Sequence, residues 1–336
     1  MISQDSLDAM AAITAGENEK ADLSRTFFKT ETYRSVRDEV FRVLEAREAR
    51  LKRGKFEQKG VALIGPAGSG KSEILAKAIG EYEQIAMATG GRKFGHKIVS
   101  VIVPGQASIS DTCRIILKEL DYPTEGARTE DYLIGCLATQ LEHRRVAAVH
   151  LDEVQDAGRY STEKTMSSFA KRFRNLMQKP PWPVCLILSS TPEGREFINH
   201  DFTLTRRLRS IEILPLAVNS DGPALRAALG KLIADAGLSH EGLIDVPDFM
   251  PMFLHAVAYR FGLAIELTIE AIGEAKFDGE AVINLDHFAA AYYGRMGCDE
   301  DLNPFISEHW RGIDTTRAVD RWVEEQKKPR KRVTQK

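Results

Sequence analysis

The sequence predicts an α/β fold in which a parallel sheet carries helices on both faces and a smaller all-helical domain follows. Two observations lead to this prediction. Short apolar runs alternate with stretches of helical periodicity over the first 215 of the 336 residues, as repeated βα units require. Beyond about residue 216 the helical patterns continue with no strand between them, so the predicted sheet ends there.

The composition excludes several classes of protein. With 43% hydrophobic and 28% charged residues the chain has enough apolar side chains for a core, which excludes disorder throughout. A formal net charge of −2 means that local basic patches, rather than the field of the whole molecule, would have to bind a nucleic acid. The four cysteines are spaced too widely for a close metal-ligand pair. Because the chain shows no signal-sequence pattern and no apolar stretch of about 18 residues, we expect a soluble, cytoplasmic protein with no membrane partner.

The strands and helices of the α/β region follow from hydrophobic periodicity. Two of the five strand candidates are wholly apolar and two more contain a single polar residue, the pattern expected of strands buried on both faces of a parallel sheet. The predicted strands are residues 61–64, 98–103, 146–151, 184–188 and 210–214. The predicted helices are residues 33–52, 72–82, 109–120, 129–143 and 163–178.

These patterns divide the chain into four regions. Residues 27–215 form the predicted α/β domain, and residues 216–310, with four helical patterns, form a smaller helical domain. Residues 1–26 are predicted to be a flexible arm or a loosely docked helix. Residues 311–336 are predicted to be a basic tail, because the last eleven residues contain six basic side chains and no acid.

A phosphate-binding loop follows the first predicted strand directly. The string GPAGSGKS matches the pattern G-x-x-x-x-G-K-[ST], and a helical pattern begins immediately behind it. Glycines allow backbone N–H groups to turn toward phosphate oxygens, and the helix N-terminus adds partial positive charge. Lys71 would reach the terminal phosphates and Ser72 would ligate magnesium. The predicted nucleotide contacts here are Gly65, Pro66, Ala67, Gly68, Ser69, Gly70, Lys71 and Ser72.

Two adjacent acids end the third predicted strand. The carboxyl ends of parallel strands meet at one edge of a sheet, so Asp152 and Glu153 are expected near the phosphate loop. Asp152 would hold magnesium through water, and Glu153 would orient and deprotonate the attacking water. An exposed acidic pair at a strand end is the alternative. A base at this position favours a nucleotide hydrolase, since a small-molecule kinase must exclude water.

Two further segments admit alternatives. At the end of the fourth strand Thr191 would sense the terminal phosphate or hold the water, whereas a helix cap or a turn is the competing role. The run LTRRLR, residues 204–209, is either a solvated face or the source of an arginine that reaches a neighbouring subunit's site.

A basic segment follows the acidic pair and would contact DNA phosphates or form an ordinary charged helix face. The side chains that would track phosphates, without reading sequence, are opposed locally only by Glu163. The predicted DNA contacts are Arg159, Lys164, Lys171 and Arg172, with Arg174 in the same segment.

The order of these motifs resembles the AAA+ ATPases and, more narrowly, the TniB/TnsC family of transposition regulators. The resemblance covers about residues 33–310 and combines two specific motifs with three weaker ones. The motifs are GPAGSGKS (65–72), DEVQ (152–155), STP (190–192), LTRRL (204–208) and NPF (303–305), the last following FAAAY (288–292).

The resemblance implies more than the motifs alone. It implies ATP with Mg²⁺, assembly as a ring or helical filament on double-stranded DNA without sequence preference, and hydrolysis that disassembles the oligomer. It also implies recruitment of a DDE transposase and a targeting adaptor of the TniQ type. By motif position, Lys71 and Glu153 carry over as catalytic residues, and Arg207 as the arginine acting in a neighbouring subunit. The chain departs from the wider pattern at Gly262, since no arginine follows it, and no lid arginine contact is predicted.

Two other functions fit the same motifs. A helicase loader or replication initiator would share the fold and the nucleotide site. A nucleotide-gated protein scaffold would bind the nucleotide without turning it over and would ignore DNA.

Overall fold

The computed structural model describes residues 4–105, 107–158 and 163–327. The described residues fall into two compact units. The unit that we call the α/β unit comprises Lys29–Pro66 and Lys71–Ile213. The helical unit comprises the described parts of Met1–Phe28 and Leu214–Lys336, and it also contains Ala67–Gly70.

Strands and helices alternate in the α/β unit as the sequence predicts, and the helices are numbered in chain order through both units. The strands are β1 (Gly60–Ile64), β2 (Lys97–Ile102), β3 (Val146–Asp152), β4 (Cys185–Ser190) and β5 (Leu208–Glu212). The helices are α1 (Gln4–Leu23), α2 (Glu31–Leu51), α3 (Lys71–Ala88), α4 (Ile109–Glu119), α5 (Glu130–His143), α6 (Gln155–Gly158), α7 (Glu163–Leu176), α8 (Arg195–Asn199), α9 (Phe202–Thr205), α10 (Val218–Asp235), α11 (Phe249–Ala256), α12 (Phe261–Phe277), α13 (Leu285–Met296) and α14 (Thr315–Lys327). Short 3₁₀ helices include Pro192–Gly194, after β4.

The five strands form one sheet in the order β2-β3-β4-β1-β5, and every pairing is parallel. Every position of β1, β3 and β4 is buried, whereas the edge strands β2 and β5 are partly exposed. This confirms the predicted parallel sheet with flanking helices. Because β4 lies between β1 and β3, the strand carrying Asp152 is not the immediate neighbour of the strand before the phosphate loop.

Gly60 shows how closely the central strands approach. A Cβ at this position would lie 2.3 Å from the carbonyl oxygen of Leu186 on β4. Backbone cannot move away cheaply inside a sheet, so only glycine fits at the start of β1.

The helical unit has a core of stacked and edge-on aromatic rings. Phe253 and Phe288 lie 5.7 Å apart between ring centroids, and Phe305 lies 5.7 Å from Phe288. Asn303 is buried, donates to the carbonyl oxygen of Ala289 at 2.9 Å and accepts from the backbone N–H of Phe305. The NPF motif therefore has a structural role, since it fastens its turn to α13.

Both ends of the chain contain helices of this unit. Where a flexible arm or docked helix is expected, α1 lies against α12, and Leu23 is part of the core. The range expected to be a tail contains α14, whose Val319 is fully buried and whose Thr315 hydroxyl donates to the carbonyl of His255 at 2.6 Å. Residues 328–336 lie outside the described residues.

None of the helices in the described ranges is by itself long and apolar enough to cross a membrane. The bent pair α11 and α12 passes that length and composition test only when the two are taken together.

Candidate nucleotide-binding site

The phosphate loop joins β1 to α3 and is shaped by two glycines. Gly68 has φ +74° and Gly70 has φ +89°, both in the left-handed region that favours glycine. Lys71 is buried at the first position of α3, and its Nζ donates to the carbonyl of Pro66 at 3.0 Å across the loop. The loop thus forms a closed turn at a helix N-terminus, the arrangement that binds phosphate.

Ser69 tests whether this turn fits a phosphate. Its side chain is 3% exposed, and its Oγ has no hydrogen-bond partner among the described residues. A buried hydroxyl is normally satisfied, so this donor inside the loop fits a ligand that brings oxygen acceptors.

The two predicted magnesium ligands lie together. Ser72 Oγ donates to Asp152 Oδ2 at 2.7 Å, although 80 positions separate the two residues. Hydroxyl and carboxylate oxygens are ligands that Mg²⁺ accepts, and it usually keeps waters and substrate phosphates as the remainder. Within the described ranges no group of three or more His, Cys, Asp or Glu side chains offers an alternative metal site. The residues present therefore fit a magnesium ion shared with a nucleotide.

Asp152 is held by a second set of hydrogen bonds that the sequence analysis did not identify. Its Oδ1 accepts from the hydroxyl of Ser189 and from the backbone N–H of Glu153, the latter at 2.9 Å. Burial by itself would raise the pKa of Asp152, but the hydrogen bonds from Ser189 and Ser72 and the nearby His150 together lower it. The carboxylate is therefore kept ionised and oriented.

His150, two residues before Asp152 on β3, is the third member of this hydrogen-bond network. Its Nε2 lies 3.3 Å from Ser189 Oγ, and burial lowers its pKa to about 4 while the charge of Asp152 acts in the opposite direction. His150 is thus neutral near pH 7, and its Nε2–H donates to the serine oxygen, whose own proton goes to Asp152. The register of β3 against β4, with Leu151 opposite Leu188, is the signal that would have placed Ser189 beside Asp152.

Glu153, the predicted base, follows β3 directly and has φ +58°. A left-handed backbone is uncommon for a glutamate and persists where surrounding contacts enforce it. Its carboxylate accepts a hydrogen bond from Nε2 of Gln155. The two acids therefore lie at the carboxyl edge of the sheet as predicted, each with a defined partner.

Thr191 lies beside the phosphate loop. The carbonyl of the preceding Ser190 accepts from the backbone N–H of Gly65 at 3.1 Å, so the end of β4 contacts the start of the loop. Thr191 occupies the N-cap position of the 3₁₀ turn, yet its side chain makes no capping hydrogen bond. Its hydroxyl is therefore not used for the competing capping role.

The arginine predicted to act in a neighbouring subunit, Arg207, does not fit that role. Its side chain is 6% exposed, pairs with Glu57 at 3.0 Å and donates to the carbonyl of Thr203. A guanidinium that is buried and paired within its own chain is not presented to a second subunit. Arg206 is exposed and has no side-chain partner in the part of the chain that the structure describes, whereas Arg209 pairs with Glu39 at 3.0 Å. Arg206 therefore fits the role better.

The predicted DNA contacts are less uniform than the local sequence suggests. Arg159 lies outside the described residues, as does the side chain of Lys164. Arg172 is bound by two acids of α5, namely Glu130 and Asp131, each at 2.7 Å. Among the predicted residues whose side chains the structure describes, only Lys171 is exposed.

Arg174, in the same segment, is also paired within the chain. Its guanidinium forms an ion pair with Asp201 at 2.8 Å. The segment itself contains one acid, Glu163, but three acids from other parts of the chain pair with its arginines. Glu130 and Asp131 lie on α5, and Asp201 precedes α9.

The tip of the phosphate loop, Ala67–Gly70, belongs to the helical unit and is bonded to other residues of that unit. Arg260 donates to the carbonyl of Ala67 at 3.2 Å and pairs with Asp320 of α14 at 2.6 Å. The backbone N–H of Leu263 donates to the carbonyl of Gly68 at 3.0 Å. The sequence places Arg260 before Gly262 rather than after it, and this contact to loop backbone is one that the motif comparison did not predict.

Comparison with known proteins agrees with this geometry. Residues 53–198 match the model of the family described as AAA domain. No curated protein matches the sequence. Among solved structures, the Drosophila ORC bound to DNA gives a TM-score of 0.58 at 12% identity, covering 93% of this chain and 77% of that one.

Two structures from Aeropyrum pernix give slightly lower TM-scores. The Aeropyrum pernix ORC1 protein in complex with DNA gives a TM-score of 0.55 at 15% identity, covering 86% of this chain and 76% of that chain. The Aeropyrum pernix ORC2 protein with ADPNP and ADP gives 0.55 at 12% identity, with coverages of 76% and 67%. At these identities the likeness establishes the fold, which is the P-loop AAA+ fold with a C-terminal helical region.

Proposed function

We propose that this chain binds ATP with magnesium, hydrolyses it, and uses the nucleotide to control its assembly on double-stranded DNA. The observation that carries the proposal is the 2.7 Å hydrogen bond between Ser72 and Asp152. It joins the end of the phosphate loop to the acid that ends β3, which are the two ligands a nucleotide-bound magnesium requires. ATP rather than GTP is chosen on the resemblance to AAA+ ATPases.

Each residue of the site has a defined task in this proposal. The loop backbone and Lys71 bind and orient the triphosphate, and Ser72 and Asp152 hold the metal. When bound, magnesium neutralises charge on the phosphate oxygens. Glu153 would accept the proton of the attacking water, and the hydroxyl of Thr191 would contact the terminal phosphate. Arg206 would complete the site of a neighbouring copy.

Calorimetric titration with ATP in the presence and absence of magnesium tests the binding step. Replacing Lys71 by alanine removes a charge-assisted contact, and we expect binding about 100-fold weaker, equivalent to about 2.7 kcal/mol. Lys118→Ala, which changes an exposed lysine of α4, is the matched control and should bind as the parent does. A parent without magnesium-dependent binding overturns the proposal.

Glu153→Gln tests the hydrolysis step. It should retain ATP binding, lower the hydrolysis rate by roughly 10²- to 10³-fold, and hold the protein in its assembled state on DNA. A variant that hydrolyses ATP at the parent rate would remove Glu153 from the role of base.

The partners are proposed on the resemblance to TniB/TnsC proteins. On that basis the assembled form engages a DDE transposase, with an adaptor of the TniQ type directing it to a target. Hydrolysis assays with and without duplex DNA at two salt concentrations, followed by co-purification with the transposase, test this coupling. A chain that binds ATP, does not hydrolyse it and ignores DNA would be a scaffold instead.

A second candidate is a replication initiator or helicase loader. The likeness to three ORC structures, two of them solved with DNA, favours it at the level of fold. Binding to a replicative helicase, with no effect on a transposase, would decide for this alternative.

A further inference from the structure

Gln155 is the fourth residue of the DEVQ motif, and the proposed function gives it no task. It is the first residue of α6, and its side chain is buried. Its Oε1 accepts from the backbone N–H of Thr191 at 3.1 Å and from the hydroxyl of Ser190 at 3.1 Å. Its Nε2 donates to the carboxylate of Glu153. One amide therefore connects the proposed base to the end of β4.

The orientation of this amide follows from its partners. A backbone N–H can only donate, so the atom that faces Thr191 must be the amide oxygen. The amide nitrogen then faces Glu153, and a carboxylate can only accept. Both ends of the side chain are thus matched, and the reverse orientation would set the amide nitrogen against the N–H of Thr191 and the amide oxygen against the carboxylate of Glu153.

The surrounding backbone is shaped around the same contact. Glu153 has φ +58°, which is uncommon for a residue with a Cβ. Gly194 closes the site from the other side, because a Cβ there would lie 1.9 Å from Ser190 Oγ and 2.8 Å from Gln155 Cβ. A turn that admits only glycine thus lies directly against the bridge.

We infer that Gln155 is a positioning residue that couples the end of β4, where the terminal phosphate is sensed, to the carboxylate of Glu153 that activates water. The inference rests on the proposed function. Oε1 of Gln155 is bonded to the backbone N–H of Thr191, and Nε2 is bonded to the carboxylate of Glu153. A displacement of Thr191 is therefore transmitted to the base through one planar amide group. The amide orients a group that reacts and does not itself touch substrate.

The test separates catalysis from binding. Gln155→Met keeps length and apolar packing but removes all three hydrogen bonds. Gln155→Glu keeps the acceptor for Thr191 and replaces the donor to Glu153 by a second carboxylate. In both variants we expect kcat to fall about 10- to 100-fold, because the base is no longer held, while the Kd of a non-hydrolysable ATP analogue stays within about threefold of the parent. An unchanged Kd also reports that the variant is folded.

A double-mutant cycle separates positioning from general structural support. In the Glu153→Gln background the base is already gone, so adding Gln155→Met should lower the residual single-turnover rate no further. Gly194→Ala should reproduce the loss of kcat by displacing the bridge. Gly80→Ala on α3, where an added Cβ meets nothing within 4 Å, is the matched control and should leave kcat unchanged.

The outcomes are distinguishable. A parent that binds or hydrolyses no ATP overturns the proposed function and this inference together. A parent that hydrolyses ATP, with Gln155→Met and Gln155→Glu within threefold of its kcat, overturns only the role of Gln155. So does a loss that is additive with Glu153→Gln, or one in which Kd rises as much as kcat falls.

Discussion

The nucleotide site and the basic segment around α7 are both conspicuous in the sequence, yet they differ in how well local sequence describes them. In the nucleotide site the predicted ligands Ser72 and Asp152 form a hydrogen bond with each other. In the basic segment Arg172 and Arg174 are bound by acids from other elements, and Lys171 remains exposed. A phosphate loop is specified by consecutive residues, whereas the charge of a surface patch depends on every element packed beside it.

The largest expected effect is at Asp152, because the nucleotide site depends on this carboxylate to hold the metal. Asp152→Asn removes the charge that would hold the metal, and we expect magnesium-dependent hydrolysis to fall roughly 10³-fold. Asp121→Asn changes an exposed acid with φ +52°, a backbone that asparagine tolerates, and should have no effect. Steady-state phosphate release measures both. Parent-like activity in Asp152→Asn would mean that local sequence describes the nucleotide site no better than it describes the basic segment around α7.

The second-largest effect is expected in the arginine cluster, where Arg206 is exposed and the adjacent Arg207 is buried and paired. Arg207→Ala leaves Glu57 without its ion-pair partner and removes buried hydrogen bonds, so we expect a loss of about 2 kcal/mol in the free energy of unfolding. Arg206→Ala should leave that free energy unchanged and lower only the hydrolysis of the assembled protein. Urea unfolding followed by circular dichroism compares the two. Equal stability of both variants would contradict the structural role of Arg207.

A smaller effect is expected at Ser189, which supports Asp152 without contacting the metal. Ser189→Ala removes one hydrogen bond to the carboxylate, and we expect the magnesium concentration for half-maximal activity to rise about tenfold. Ser100→Ala, at an exposed position of β2, is the control. If the magnesium dependence of Ser189→Ala matches that of the parent, Asp152 does not need this second hydrogen bond.

The smallest effects are expected in the basic segment. Lys171→Ala should weaken binding to duplex DNA a few-fold and reduce the dependence of log K on log salt by about 0.9, the contribution of one phosphate contact. Arg172→Ala should change less, since its charge is already paired. Asp131→Asn should strengthen binding by releasing part of that charge. Fluorescence anisotropy at several salt concentrations gives all three, and an Arg172→Ala loss larger than that of Lys171→Ala would reverse the assignment.

Much of the fold is predictable from the sequence, for a physical reason. Strands buried on both faces, such as β1, β3 and β4, are mainly apolar and are therefore visible as short runs, with polar side chains of β3 and β4 only toward their carboxyl ends. The edge strand β5 lies at Leu208–Glu212 rather than at residues 210–214, because an exposed edge tolerates arginine and glutamate and blurs the pattern. Helix α14 falls in the range predicted to be a basic tail, since a helix with one buried stripe next to a basic segment gives a weak signal.

Some residues of the candidate site are predictable from local sequence, and others are not. The loop and the acidic pair are local strings, and the sequence placed both at the same edge of the sheet. Ser189 and Gln155 act through the pairing of β3 with β4 and through the turn after β4, and neither relation is written in consecutive residues. The choice between Arg206 and Arg207 depends on Glu57, which is about 150 positions away in the sequence and unrelated to any motif.

The ion pair between Arg260 and Asp320 has a practical consequence for handling this protein. Arg260 donates to the carbonyl of Ala67 and pairs with Asp320, so a single side chain connects α14 to the turn that would receive the nucleotide. A chain shortened before Thr315 would leave that guanidinium without its counter-charge. Affinities measured on such material would then describe an altered loop.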